Sequence, residues 1–282
     1  MCRRLPSRGC KRLYFIFGLF RRSVYGFFEE FMQYTDAHIH IADIAFWQPV
    51  EGSPVCSCAH APDEFALVED AARSYRGCVV PAYGVHPQNP DGAYLPFLER
   101  LLQEDRISAV GEAGFDLYAP EFAVRLDAQR EVFSAQLELA IRYEKPLVIH
   151  CRRALDLLFR EAPLLAKLPA VVFHSFAGSP VEAQGFLKRR VNAYFSFGKP
   201  ILNGNKRAVK CVCELPENRL LAETDAPYQT LKGERETLPR DIVRVYEEFA
   251  RLRNVPAADS AETIALNFHR VFGSPDSPRI PL

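Results

Sequence analysis

Net charge is the first thing this sequence lacks. Its 282 residues carry 35 basic and 35 acidic side chains, so the formal sum is zero. Long-range attraction to a polyanion or to an anionic membrane is therefore not built into the whole molecule, and any recognition of phosphate has to be local. A membrane-length apolar run is missing too. The stretch 13–20 near the N-terminus is too short to span a bilayer. It resembles the apolar core of a signal segment, but two arginines follow at once and no small-residue cleavage site is evident. No membrane partner is expected. The economical expectation is that Met32 is the true start and that residues 1–33 are an N-terminal extension, disordered or upstream, with no role in the fold. No Gly-x-Gly-x-x-Gly follows the first strand-like run, which counts against a dinucleotide site. There is no internal repeat and no low-complexity tract. The eight cysteines (2, 10, 56, 58, 78, 151, 211 and 213) lack the spacing of a small disulfide framework, and several sit inside apolar runs. They point to thiols in a reducing, cytoplasmic compartment.

What is present is a hydrophobic content of 48% arranged in short apolar runs. Strands are expected at 34–41, 54–59, 77–85, 107–111, 146–149, 170–173, 191–197 and 219–222. Helical spacing lies between them, including one long helix over 121–143 and two closing helices near 239–252 and 258–271. The runs are continuously apolar, as in strands covered on both faces. Eight of them alternating with helices predict an α/β fold, a (β/α)8 TIM-type barrel with C-terminal helices over 34–282. A doubly wound open sheet is the alternative.

The chemistry sits at the ends of these runs. Residues two apart on a strand share a face, so His38 and His40 present two imidazoles side by side. His86, Glu112, His150, His174 and Asp225 end later runs. In a parallel barrel all such ends open on one face, where active sites lie. His38, His40, Glu112, His150, His174 and Asp225 are more donors than one tetrahedral ion needs. They suit two neighbouring divalent ions, with Glu112 the bridge because a carboxylate has two oxygens. Imidazole-rich donors favour zinc or manganese over magnesium, although all three stay open. Other residues have plainer readings. Cys56-x-Cys58-x-His60 looks like a fragment of a zinc site, yet no second pair completes it and strand burial explains the cysteines. Gln129 and Phe133 would anchor a helix to the barrel. Asp116 would hydrogen-bond backbone near the site, Lys199 would face the site or solvent, and Cys211 and Cys213 would pack. His269 would be structural.

These residues carry a family resemblance. Asp36-Ala-His-Ile-His40, Gly84-Val-His-Pro87, Gly111-Glu-Ala-Gly-Phe-Asp116, Val148-Ile-His-Cys-Arg152, Phe173-His-Ser-Phe-Ala-Gly178, Glu223-Thr-Asp-Ala-Pro-Tyr228 and Asn267-Phe-His-Arg-Val-Phe-Gly273 occur in that order. From about Thr35 to Gly273 the chain resembles the TatD-type metal-dependent deoxyribonucleases of the amidohydrolase-like barrels. The resemblance implies His38, His40, Glu112 and Asp225 around one divalent ion, and Glu112, His150 and His174 around the second. It implies a metal-dependent deoxyribonuclease, an exonuclease acting on DNA that is single-stranded or at its ends. Asp225 would take the proton of the attacking water, with Glu112 the second catalytic group. His86 and Arg152 would contact phosphate, unless His86 only orients its loop and Arg152 pairs with Asp156. Three departures stand out. Ile41-Ala42 replaces a usual Leu-Asp, Gln88 stands where a histidine is frequent, and 232–239 lacks a common asparagine. They touch the substrate rim, not the metal set. A small-molecule amidase or lactonase, or a barrel that keeps metal only for structure, are the competing readings.

Overall fold

Eight apolar runs form eight strands: β1 (Asp36–Ile39), β2 (Val55–Ala59), β3 (Val79–Tyr83), β4 (Ala109–Asp116), β5 (Leu147–Arg152), β6 (Val171–Phe173), β7 (Ala193–Phe197) and β8 (Leu220–Ala222). The structure is a computed structural model that describes residues 33–50 and 53–273. The expected extension up to Met32 lies outside the described residues. Neighbouring strands pair in parallel and in chain order. The ring closes where His40 N–H donates to the Ala226 carbonyl and Asp225 N–H to the His38 carbonyl, each at 2.9 Å. This is the expected TIM barrel. Among the described residues no helix is long and apolar enough to cross a membrane, and none of the six described cysteines is in a disulfide.

The helices fall between the strands: α1 (Pro62–Ser74), α2 (Leu95–Gln103), α3 (Pro120–Ala123), α4 (Leu126–Arg142), α5 (Leu155–Arg160), α6 (Ala162–Leu165), α7 (Pro180–Lys188) and α8 (Lys206–Glu214), followed by α9 (Ile242–Arg253) and α10 (Ala257–Phe272). Local sequence starts and stops them. Pro180 opens α7 behind a capping box in which Ser179 and Glu182 satisfy each other's backbone N–H. Asn254 ends α9 in the left-handed conformation. The long helix expected over 121–143 is two helices. The Phe122 carbonyl accepts from Arg125 N–H at 3.0 Å and from the Gln129 side chain at 2.8 Å. A three-residue turn and a side chain thus replace the α-helical bond at that carbonyl.

The barrel interior draws on every strand. Ala37, Cys56, Cys58, Val80, Ala82, Ala109, Val148, Val172, Tyr194 and Leu221 form one buried cluster with Phe268 and Val271 of α10. Two register slips shape the opposite end. Between Asp36 and Ile39 β1 spends three residues against two on β2. Between Val110 and Ala113 β4 does the same against β5. Each is a bulge, which shifts the alternation by one and re-aims the side chain beyond it. Ala109 faces inward, so an unbroken strand would turn Glu112 outward; the slip brings it in. Glu112 accordingly lies within β4, not at the end of a strand as expected.

Lys199 faces neither the site nor solvent. It is fully buried and donates to Glu234, to Asp241 Oδ2 at 2.9 Å and to Thr237 Oγ1 at 3.2 Å. An ammonium leaves water only when such acceptors surround it. Cys213 is exposed while Cys211 packs, so only the latter fits the packing expectation. Lys199→Ala leaves Asp241 without its buried partner and is expected to cost about 3 kcal/mol, read as a lower urea midpoint at unchanged slope.

Candidate metal centre

Glu112 stands at the bottom of the barrel mouth, 2% exposed, and imidazoles converge on both of its oxygens. Oε1 lies 3.1 Å from His38 Nε2, 3.4 Å from His40 Nε2 and 3.2 Å from His60 Nε2. Oε2 lies 3.0 Å from His174 Nε2, 3.2 Å from His150 Nδ1 and 3.6 Å from His86 Nε2. Asp225 Oδ1 joins the first group, 3.2 Å from His40 Nε2 and 3.6 Å from His38 Nε2. The strand phase explains the convergence. His60 follows Cys56 and Cys58 at the same two-residue step, His150 follows Val148 and His174 follows Val172, all in phase with the interior cluster; Asp225 stands three residues past β8 in the left-handed conformation, with φ 56°.

A second layer fixes which ring nitrogen faces the carboxylate. His150 Nε2 is 3.0 Å from Asp116 Oδ2, so in the neutral ring the proton belongs there and the Nδ1 lone pair faces Glu112. His86 Nδ1 accepts from Gln88 N–H at 3.2 Å, which puts the proton of the neutral ring on Nε2. His86 therefore offers a donor to the centre, not a lone pair. His174 is not fixed in this way: its Nδ1 lies 3.9 Å from Glu223 Oε2, and neither atom has a hydrogen-bond partner among the described residues. Two glutamines of α4 hold the frame. Gln129 pairs with both backbone groups of Asp116, at 2.9 and 3.0 Å, and Gln136 does the same for Val85, at 2.7 and 3.0 Å. Asp36 accepts from Thr224 N–H at 2.9 Å, Thr224 Oγ1 at 2.6 Å and His38 N–H at 3.2 Å, which ties β1 to the end of β8. Gly114 is forced by close approach: a Cβ there would lie 2.0 Å from the His150 carbonyl oxygen.

Burial disfavours charge on every group here. Glu112 nevertheless lies well below the ordinary carboxylate range, because the charges of His38 and His174 and hydrogen bonds from His150 and His174 outweigh its desolvation. Asp225 is lowered to about 2 against its own burial, by the hydrogen bond to His40 and the charges of His38 and His174. His40 and His150 are each pushed up to about 9 in spite of burial, the first by Asp225 and Glu112, the second by Asp116 and Glu112. His38 falls to about 4, by burial and then by the charge of His174. Glu223 goes the other way, raised by burial and by Asp225. The carboxylates thus favour the charged form of His40 and His150, while His38 is held toward the neutral form.

The donor set fits divalent cations on two observations. Ligands of one ion at about 2.1 Å stand about 3.0–3.5 Å from each other, and the contacts above run from 3.0 to 3.6 Å. A dication between the same atoms satisfies the carboxylates and leaves the imidazoles neutral, the form that ligates. His38, His40 and Asp225 form one group able to hold an ion, with ligand atoms within 4.8 Å of one another; His38, Glu112 and His174 form another. The six residues expected as ligands are therefore together, and His86 and Arg152 line the same cavity of about 680 Å³. Arg152 stands 5.1 Å over the Tyr118 ring. Sequence reasoning missed three participants. His60 was legible in its alternation with Cys56 and Cys58. Asp116 was assigned to backbone alone; it does accept Tyr118 N–H at 2.8 Å but also holds His150. Gln136 lies seven residues after Gln129, a spacing that puts both on one helix face.

Comparison with known proteins agrees with the barrel fold. The sequence model of the family described as TatD related DNase matches residues 35–273. The uncharacterized metal-dependent hydrolase YjjV of Escherichia coli (strain K12) is 30% identical over 225 residues, 76% of this chain and 83% of that protein. The 3'-5' ssDNA/RNA exonuclease TatD of Edwardsiella piscicida is 35% identical over 190 residues, 64% of this chain and 66% of its own length. The crystal structure of the TatD homolog YjjV from Escherichia coli K12 superposes with a TM-score of 0.75 at 26% identity, covering 87% of this chain and 98% of that one.

Zinc or manganese added to chelator-treated protein is expected to raise its thermal midpoint. At a concentration a hundredfold above the dissociation constant the added stability is about 2.7 kcal/mol. Glu112→Gln is expected to remove that response, since both imidazole groups lose the charge they face; thermal scans with and without cation check this.

Proposed function

Because the chain belongs to the TatD family of metal-dependent hydrolases, we propose that it is a deoxyribonuclease, an exonuclease that hydrolyses phosphodiester bonds at the ends of single-stranded DNA. The observation that carries the reading is the buried Glu112 with donors gathered on both of its oxygens at the head of an open cavity. His38, His40, Glu112 and Asp225 would hold one divalent cation; Glu112, His150 and His174 would hold the second. Cations bound there lower the pKa of a water molecule toward neutrality and offset the charge of a phosphoryl group.

The chain's own residues supply the rest. Asp225 stays ionised at neutral pH and so is able to accept the proton of the attacking water. Gln229 Nε2 donates to its Oδ2 at 2.6 Å and fixes its orientation. His86 Nε2–H and the Arg152 guanidinium face the cavity as donors for non-bridging phosphate oxygens. Single strands are favoured by the neighbouring relief. A second cavity of about 400 Å³ adjoins the first and shares Arg152, Ser175 and Gln229 with it. On its rim Tyr118 is 55% exposed, with Arg152 and Arg153 5.1 and 4.6 Å from its ring centre. An accessible ring flanked by cations is a stacking platform for an unpaired base with phosphates on either side. Local cations on a chain of zero net charge suit a strand end better than tracking along a duplex. The small-molecule amidase or lactonase reading is not favoured by the relatives.

Digestion of 3'-labelled single-stranded DNA by chelator-treated protein, with and without added zinc, manganese or magnesium, tests the proposal. Release of labelled mononucleotide only with cation supports it, and no release under any cation rejects it. Asp225→Asn is expected to leave the protein folded and partly metal-bound while kcat falls about 10²- to 10⁴-fold; unchanged turnover removes the base assignment. Tyr118→Ala is expected to weaken single-stranded DNA binding by about 1–3 kcal/mol, read by fluorescence anisotropy on a labelled oligonucleotide.

A further inference from the structure

The two oxygens of Glu112 each face three imidazoles, and the resemblance to known relatives accounts for only two on each side. The additional ones, His60 and His86, differ in a way that matters for cations. His86 has its Nδ1 taken by Gln88 N–H, so the nitrogen it turns inward carries a proton. His60 is arranged in the opposite sense. Glu64, in the first turn of α1, accepts His60 N–H through Oε2 at 2.7 Å, and the same oxygen lies 3.8 Å from His60 Nδ1. At that distance Glu64 accepts no hydrogen bond from the ring, but its negative charge on the Nδ1 side favours the ring proton there and leaves the Nε2 lone pair for the centre, the sense in which metal-bound histidines are commonly held. That Nε2 sits 3.2 Å from Glu112 Oε1, and the ligand atoms of His40, His60 and Glu112 lie within 4.8 Å of one another.

We propose that His60 is itself a ligand of the cation on the Oε1 side of Glu112, with Glu64 as its positioning residue. The inference rests on the metal-centre reading above and extends it. That cation then meets three imidazoles, the Asp225 carboxylate and one oxygen of Glu112. The cation on the Oε2 side meets two imidazoles and the other oxygen. The two positions are therefore unequal: the first is crowded and nitrogen-rich, which selects zinc, cobalt or manganese against magnesium, and the second keeps more places for water and substrate.

Cobalt(II) titration of chelator-treated protein in phosphate-free buffer tests this, followed by calorimetry and by the visible absorption of the bound ion. Wild-type protein is expected to bind two equivalents. His60→Ala is expected to lose at least tenfold in affinity for one of the two and to change the visible band of that ion. Glu64→Gln, which keeps the imidazole, is expected to weaken the same step to a smaller extent. If His60→Ala does not fold by circular dichroism, the Glu64→Gln titration decides alone, and a titration and spectrum identical to wild type overturn the inference. Identical titrations and spectra for wild type and His60→Ala likewise overturn it, and would leave His60 a contact for substrate phosphate only. Wild-type protein that takes up no cobalt would instead sink the metal centre as a whole.

Discussion

A carboxylate held away from water at the bottom of a barrel is costly unless something of opposite charge stands beside it, and Glu112 is held there by the backbone itself. Its surroundings follow from that constraint. Imidazoles crowd both oxygens, and around three of them an outer group stands on the far side of the ring: Asp116 on His150, Glu64 at 3.8 Å from His60, and the Gln88 N–H on His86. From Glu112 the contacts run through His150 to Asp116, which is itself buried and held by the Gln88 side chain and Tyr118 N–H.

The barrel delivers these groups by phase. A parallel strand whose inner face is fixed by small apolar residues presents every second residue to the same side, so whatever lies two or four positions beyond the core reaches the mouth. His60, His150 and His174 arrive in this way; Asp225 comes from the turn after β8, tied by its N–H to the His38 carbonyl. Glu112 arrives through the extra residue in β4, and β1 carries a slip of the same kind beside His38. The small side chains of the interior, alanines and cysteines, leave the space that α10 fills from the opposite end with Phe268 and Val271.

This separates what could be read from the sequence from what could not. The eight apolar runs and their helices were legible because burial on both faces leaves a continuous apolar signature, and the ligand histidines because they stand just past those runs. Glu112 was found as a ligand but misplaced as a strand end, since a bulge has no marker in residue type alone. His60 was discounted because no second pair completes the Cys-x-Cys-x-His fragment; the strand burial that explains the cysteines is also what puts His60 in phase with the site. Lys199 could not be assigned from its own neighbourhood. Its partners Glu234, Thr237 and Asp241 lie 35 to 42 residues downstream, and nothing local to a lysine announces a buried pair. The break after α3 was hidden for a similar reason, because the Gln129 side chain that takes the Phe122 carbonyl is itself a good helix residue.

The glutamines of α4 make that helix a measuring rod. Seven residues apart, they lie two turns and about 10 Å from each other along the axis, and each clasps both backbone groups of a different strand terminus. Adding or deleting a single residue between them would swing one clasp by about 100° and release either the Asp116 turn or the Val85 turn. Substitution on the exposed face of α4 is cheap, away from its buried Val132, Phe133, Leu137 and Ala140; a change of spacing inside this interval is not, and an insertion that survives there would have to come with a new way of holding His86 or His150.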